Sequence, residues 1–180
     1  MKKIILGSAL FFTVSAQAMT PPDALTMGGI SFDVMSTRMA YNNKLRIVPH
    51  GLELPNQDAS TEVDGTIVNQ QVADLDNNGW PELYIFTQSV GSGSYGNVIA
   101  YAVNNGKSMT PVYMPELRQK GYMGHDIFAV HEDHITRSFP LYKESDSNAS
   151  PSGGRMTIRY ELIKGEASWQ LQPVSSSQSD

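Results

Sequence analysis

The chain has 180 residues, no cysteine, and 13 basic against 18 acidic side chains, for a net charge of −5. Lack of Cys excludes disulfides and thiolate metal sites, so any fold must rest on its core. The acidic balance argues against nucleic acid as a partner, and the length suits one domain.

Lys2-Lys3, the apolar run Ile4 to Val14 and Ala16-Gln17-Ala18 have the order of a cleavable secretory signal over residues 1–18. The apolar run is shorter than the ~20 residues a membrane-spanning helix needs, and no Cys follows the expected cut to carry a lipid. The expected location is therefore the periplasm, without a membrane anchor. Cleavage would leave residues 19–180 as a single domain of 162 residues. Loss of Lys2 and Lys3 gives 11 basic against 18 acidic residues, net −7. That charge suits solubility, or attraction to a cationic partner.

Strand patterns dominate the rest of the chain. Ile30-Ser31-Phe32-Asp33-Val34 alternates apolar and polar, and Leu45–Val48 does so more loosely. Leu83-Tyr84-Ile85-Phe86 and Val98–Val103 are apolar runs; the second is apolar on both faces and reads as a central strand covered on each side. Asn104-Asn105-Gly106-Lys107 is a hairpin-type turn. Pro115–Gly121 has a helix start and a Gly stop and would make about two turns. Glu132-Asp133 closes a hairpin, Asp146–Gly154 is an internal loop, and Thr157–Leu162 alternates cleanly. Lys164-Gly165-Glu166 turns the chain before Ser168–Leu171, and Ser175–Asp180 is expected to fray. The pattern predicts an all-β antiparallel sandwich or barrel of about eight to ten short strands with at most one short helix.

Gly91-Ser92-Gly93-Ser94-Tyr95-Gly96 joins two of the apolar runs. It matches G-x-G-x-x-G formally, but a β-branched, aromatic segment comes after it in place of the helix that dinucleotide binding requires. Neither serine lies in G-x-S-x-G, so a hydrolase nucleophile elbow is absent. A thin, glycine-rich loop carrying hydroxyls and one phenol reads instead as a recognition loop.

Asp74, Asp76, Asn78 and Glu82 occupy positions 1, 3, 5 and 9 of a calcium-loop pattern with Gly79 at position 6, but position 12 is Ile85 rather than a bidentate Glu. A β-turn capped by Asx side chains is the preferred reading, and calcium would bind weakly. His125, His131 and His134 do not share a face at strand period, which disfavours zinc. A Ser92–His125–Asp126 triad is disfavoured because neighbouring strand residues point oppositely. Gly121-Tyr122-Met123-Gly124-His125-Asp126 forms a second glycine-flanked aromatic loop, either beside the first or as a packed corner.

Together these segments resemble the bacterial periplasmic inhibitors of invertebrate-type (I-type) lysozyme. The similarity runs from Glu62–Thr66 through Asp74–Glu82, Ser92–Ala102, Asn104–Ser108, Gly121–Asp126, Arg137–Tyr142 and Pro151–Gly154. Its most specific element is Ser92-Gly93-Ser94-Tyr95, similar to the family's serine-glycine-x-tyrosine inhibitory loop. The resemblance implies an all-β antiparallel sandwich or barrel, no catalysis, and insertion of this loop into the lysozyme cleft. The expected role is protection of peptidoglycan from a host lysozyme, with no cofactor unless calcium binds. Ser92 and Tyr95 are the implied inhibitory residues. Gly93 and Ser94 would add backbone donors, with Lys107 and Tyr122 as secondary contacts and a monomer or homodimer as the expected state. The alternative is a calcium-stabilised β module that binds a glycan or an envelope protein.

Overall fold

The structure is a computed structural model that describes residues 25–37, 42–54 and 57–180; the expected signal segment 1–18 lies outside them. Among the described residues, twelve strands form three four-stranded sheets in which each strand pairs antiparallel with its sequence neighbour. The first contains β1 (Thr26–Met27), β2 (Ile30–Ser36), β3 (Asn43–His50) and β4 (Ala59–Val63). The second contains β5 (Thr66–Ala73), β6 (Glu82–Gln88), β7 (Gly96–Asn104) and β8 (Ser108–Val112). The third contains β9 (Ile127–Val130), β10 (Ile135–Pro140), β11 (Arg155–Lys164) and β12 (Trp169–Ser179).

The middle sheet explains the two-sided apolar runs. Along β6, Leu83 and Ile85 pack with Ile30, Phe32, Leu45 and Ile47 of the first sheet. Tyr84 and Phe86, on the opposite face, pack with Ile135, Phe139, Ile158 and Tyr160 of the third. Along β7, Tyr101 and Val103 join the first core while Val98, Ala100 and Ala102 join the second. Each fully buried large apolar side chain contributes roughly 1.5–3 kcal/mol of transfer free energy, so the stacking is favourable on both faces. Polarity alone does not fix the register of such strands. The β7–β8 pairing is set by its turn, where Asn105 (φ 51°) and Gly106 (φ 70°) take the left-handed conformations of a tight hairpin.

The all-β antiparallel sandwich is observed, as three layers, and the described residues form no closed barrel. Three details differ from expectation. The described residues form twelve strands rather than about eight to ten, because β1, β4, β5 and β8 are short or largely polar and carry no clear apolar pattern. Residues 115–121 contain no helix. Ahead of them the Tyr113 amide donates to Trp169 O at 2.8 Å, and Tyr113 O accepts from the Leu171 amide at 2.9 Å. Met114 and Leu117 then pack on the second core. A helix of about two turns has too few hydrogen bonds to compete with that anchorage. Finally, Ser175–Ser179 is paired strand rather than frayed tail: Arg159 opposes Ser175 and Arg155 opposes Ser179, beyond a bulge at Arg159/Tyr160. The backbone ladder holds these polar residues in place although they are exposed.

Candidate functional site

Residues 89–95 connect β6 to β7 and are held mainly through their own backbone. The Ser89 amide donates to Tyr95 O at 2.9 Å, and the Tyr95 amide donates to Ser89 Oγ at 2.9 Å. Ser94, with φ 43°, donates both its amide and its hydroxyl to Gly91 O, each at 3.3 Å. Ser94 therefore shapes the loop, and its amide is not the free donor that the sequence suggested. Ser92 is exposed and Tyr95 is 48 % exposed. Among the described residues, neither the Ser92 hydroxyl nor the Tyr95 phenol has a hydrogen-bond partner within the chain. Gly93 lies under the Tyr95 ring, where an added Cβ would meet Cε2 at 2.5 Å.

The second glycine-flanked loop packs directly against the first. The His125 amide donates to Gly93 O at 2.7 Å and approaches Ser94 O at 3.2 Å. Gly124 (φ 90°) sits so close that a Cβ there would collide with the Gly93 carbonyl. Tyr95 meets the Tyr122 ring edge-on, with centroids 5.6 Å apart, and Tyr122 meets Phe139 at 4.8 Å. Both open readings of this loop thus hold: it adjoins the first loop and is also a packed corner.

Beneath the contact lies a buried polar knot. Arg137 Nε donates to Asp126 Oδ1 at 2.7 Å, and Arg137 Nη2 donates to the Tyr122 hydroxyl at 2.7 Å. That hydroxyl donates to Asp126 Oδ2 at 2.7 Å, and the same oxygen accepts the Gly96 amide at 2.7 Å. The guanidinium also lies over the Tyr122, Phe128 and Phe139 rings, 5.2 to 5.9 Å from their centroids. Burial, and then the hydrogen bond to Asp126, push the Tyr122 phenol well above its usual range. Burial alone would lower the Arg137 pKa, but the hydrogen bond and charge of Asp126 outweigh it and raise it. The Tyr122 hydroxyl is committed to this knot, so Tyr122 supports the loop from below rather than offering a free polar group.

From sequence Asp126 entered only as a member of the disfavoured triad and Arg137 not as a site residue, yet β10 carried the signal. Arg137 is in phase with Ile135 and Phe139, and all three are buried. A cation at an inward strand position demands a buried acid.

Lys107 stands apart from these residues. It follows β7 at the end opposite the Ser92 loop, and a nine-residue strand at ~3.3 Å per residue separates the two by about 30 Å. No hydrogen bond among the described residues joins Ser92 to His125 or His125 to the Asp126 carboxylate, so the triad is not assembled. His131 and His134 stack on each other at 4.4 Å, whereas His125 stacks on Tyr142, which leaves no shared histidine site.

The Asp74–Glu82 turn has the expected Asx caps. Asp74 accepts the Asn78 amide at 3.0 Å and the Gly79 amide at 2.9 Å, while Asn78 Oδ1 accepts the Trp80 amide at 2.7 Å. Asn78 Nδ2 donates to Asp76 Oδ2 at 2.8 Å. The carboxylates of Asp74, Asp76 and Glu82 converge. Burial, with added repulsion from Asp76 and Asp74, raises the Glu82 carboxyl to about 8 against the lowering effect of the Leu75 amide. Burial also raises Asp76.

Comparison with protein-family models, curated proteins and solved structures finds no match to this chain. Function must therefore be read from the chemistry of the loops.

Proposed function

We propose that this chain is a periplasmic protein inhibitor of I-type lysozyme that plugs the enzyme's cleft with Ser92-Gly93-Ser94-Tyr95. One observation carries the reading: Ser92 and Tyr95 present a hydroxyl and a phenol unused by the fold, on a loop braced by a second loop and a buried ion pair. A glycosidase cleft holds two carboxyl groups, usually one protonated and one ionised. A serine hydroxyl donates to the ionised carboxylate and accepts from the acid, so Ser92 suits both states. Tyr95 supplies a flat ring for a sugar-shaped subsite and has few torsions to freeze. The similarity of this loop to the family's inhibitory loop supports the same assignment. Net negative charge favours encounter with a cationic enzyme.

The test is lysis of cell-wall suspensions by I-, C- and G-type lysozymes, each mixed with the purified chain. Selective, stoichiometric loss of I-type activity is expected. Undiminished I-type lysis at molar excess would overturn the proposal.

A further inference from the structure

The turn between β5 and β6 gathers three carboxyl groups that no basic side chain among the described residues pairs with. Asp74, Asp76 and Glu82 each offer a carboxylate oxygen, and these atoms all lie within 4.8 Å of one another. Among the described residues, no Lys, Arg or His forms an ion pair with any of the three. Carboxylates this close repel one another unless a proton or a cation intervenes.

Glu82 provides a second, separate observation. The residue is 0 % exposed. Its Oε2 accepts from the Leu75 amide at 2.9 Å and from the Tyr84 hydroxyl at 3.3 Å. Its Oε1 is equally shielded from solvent and has no hydrogen-bond partner among the described residues. Buried polar atoms are nearly always partnered, and an orphaned carboxylate oxygen is among the costliest exceptions. A carboxylate oxygen in this state lacks either a proton donor or a cation. With the Asp74 and Asp76 carboxylates close to the same side chain, one cation shared by all three answers both the missing partner and their mutual repulsion.

We infer that Asp74, Asp76 and Glu82 hold a divalent cation, and that the donor set selects calcium. The donors are all hard oxygens, which disfavours zinc and copper. Magnesium demands a near-ideal octahedron and keeps several waters, whereas calcium accepts irregular, carboxylate-rich turns. The spacing agrees: the carboxylates occupy the first, third and ninth positions of a calcium loop, and Gly79 (φ 86°) makes the sharp turn at the sixth. Asn78 braces the ligands through Asp76 and the Trp80 amide. Ile85 occupies the place of the bidentate Glu and is buried in the first core. Its absence as a ligand sets the affinity at about 10⁻⁴ to 10⁻³ M, the range of extracellular modules. The ion would tie the end of β5 to the start of β6, the strand that leads into the Ser92 loop. Binding of the ion does not depend on what that loop binds.

Trp80 lies within the turn and can act as an antenna for terbium, a luminescent calcium substitute. Titrating the purified chain with terbium should give Trp-sensitised emission that calcium displaces and equimolar magnesium does not. The melting temperature at about 10 mM calcium should exceed that in chelator by a few degrees. Asp76→Asn, which keeps the shape of the turn and removes one charge, should weaken terbium binding at least tenfold and erase the melting difference. Asp74→Asn should do the same; if the loss of its caps prevents folding, Asp76→Asn carries the test alone. Absence of both emission and a melting shift overturns the site. Wild-type terbium affinity in Asp76→Asn would place the ion elsewhere and also overturn it. Equal displacement by magnesium would overturn the selection of calcium.

Discussion

The amide of Gly96 donates to Oδ2 of Asp126 at 2.7 Å, across 30 positions of sequence. The same carboxylate binds Arg137 of β10 and Tyr122 of the second loop, so one buried acid joins three separate segments. It fixes the point where the Ser92 loop re-enters the sheet. A loop held in this way loses less conformational freedom when it binds, which raises affinity without any new contact.

Ser92→Ala and Tyr95→Ala should separate binding from stability. Among the described residues neither polar group bonds within the chain, so Ser92→Ala should unfold within about 0.5 kcal/mol of the parent, as exposed substitutions usually do. Tyr95→Ala also loses the edge-on contact with Tyr122 and should cost about 0.5–1.5 kcal/mol. Against an I-type lysozyme, each should weaken inhibition about thirtyfold or more, the cost of losing a hot spot of ≥ ~2 kcal/mol. Inhibition constants and urea midpoints measured on the same samples test both halves. Full inhibition by the two variants would remove the loop from the interface.

Gly124→Ala should impair the site with Ser92 and Tyr95 both left in place. Its Cβ would strike the Gly93 carbonyl, and its φ of 90° is unfavourable for any L side chain. The two penalties together should cost about 1–3 kcal/mol and shift the first loop. Gly28→Ala is the control, because Gly28 has a positive φ of 59° but open space around it. It should pay only the backbone cost and leave inhibition intact. Equal effects from the two variants would contradict the docking of one loop on the other.

Arg137→Met and Asp126→Ala each leave a buried charge unpaired. Each should cost about 3–5 kcal/mol in denaturant unfolding. Because they remove the same interaction, the double variant should cost clearly less than the sum. Strict additivity would show that the pair is not coupled.

Lys107→Ala should leave inhibition unchanged within twofold (about 0.4 kcal/mol), since Lys107 lies at the far end of β7 from the Ser92 loop. A large loss measured in the same lysis assay would mean that the partner spans the whole length of the middle sheet.

Asp146 braces the loop after β10. Its Oδ2 accepts the Lys143 and Ser152 amides, each at 2.7 Å, and its Oδ1 accepts the Ser152 hydroxyl at 2.8 Å. Those hydrogen bonds, the Lys143 amide first, hold its carboxyl below the ordinary 3.8. A depressed pKa stabilises the fold at pH values above the unfolded one, and the contribution is lost as pH falls through the folded value. NMR titration of the Asp146 carboxyl should therefore give a midpoint below 3.8, with the Lys143 and Ser152 amides losing exchange protection only in that acid range. A midpoint at or above the ordinary value would show that the bonds are not maintained in solution.

Much of the scaffold was legible because its signals are local. Val98–Val103 is apolar on both faces and is covered on both; Asn105-Gly106 carries its turn type in two residues. The Ser92 loop was visible for the same reason, through its glycines and hydroxyls. Its support by the Gly121–Asp126 loop was left open, because the bond from His125 to Gly93 joins segments whose proximity only the assembled sheets create. Arg137 was legible in its strand phase, but its acid partner lies on another loop. Pro115–Gly121 failed in the opposite sense, as a local helix signal overridden by pairing of Tyr113 with β12.

The meander order of the sheets bears on how the chain folds. Every sheet is built from consecutive strands, so its hydrogen-bonded ladder closes over local connections, the third sheet through the longer loop of residues 141–154. The outer sheets have nowhere to bury their apolar faces until the middle one exists, and the middle one must recruit both. Tyr84 and Ile85, adjacent on β6, thus belong to separate assembly events, one docking the third sheet and the other the first. The chain between Thr66 and Val112 is the layer on which the two halves meet.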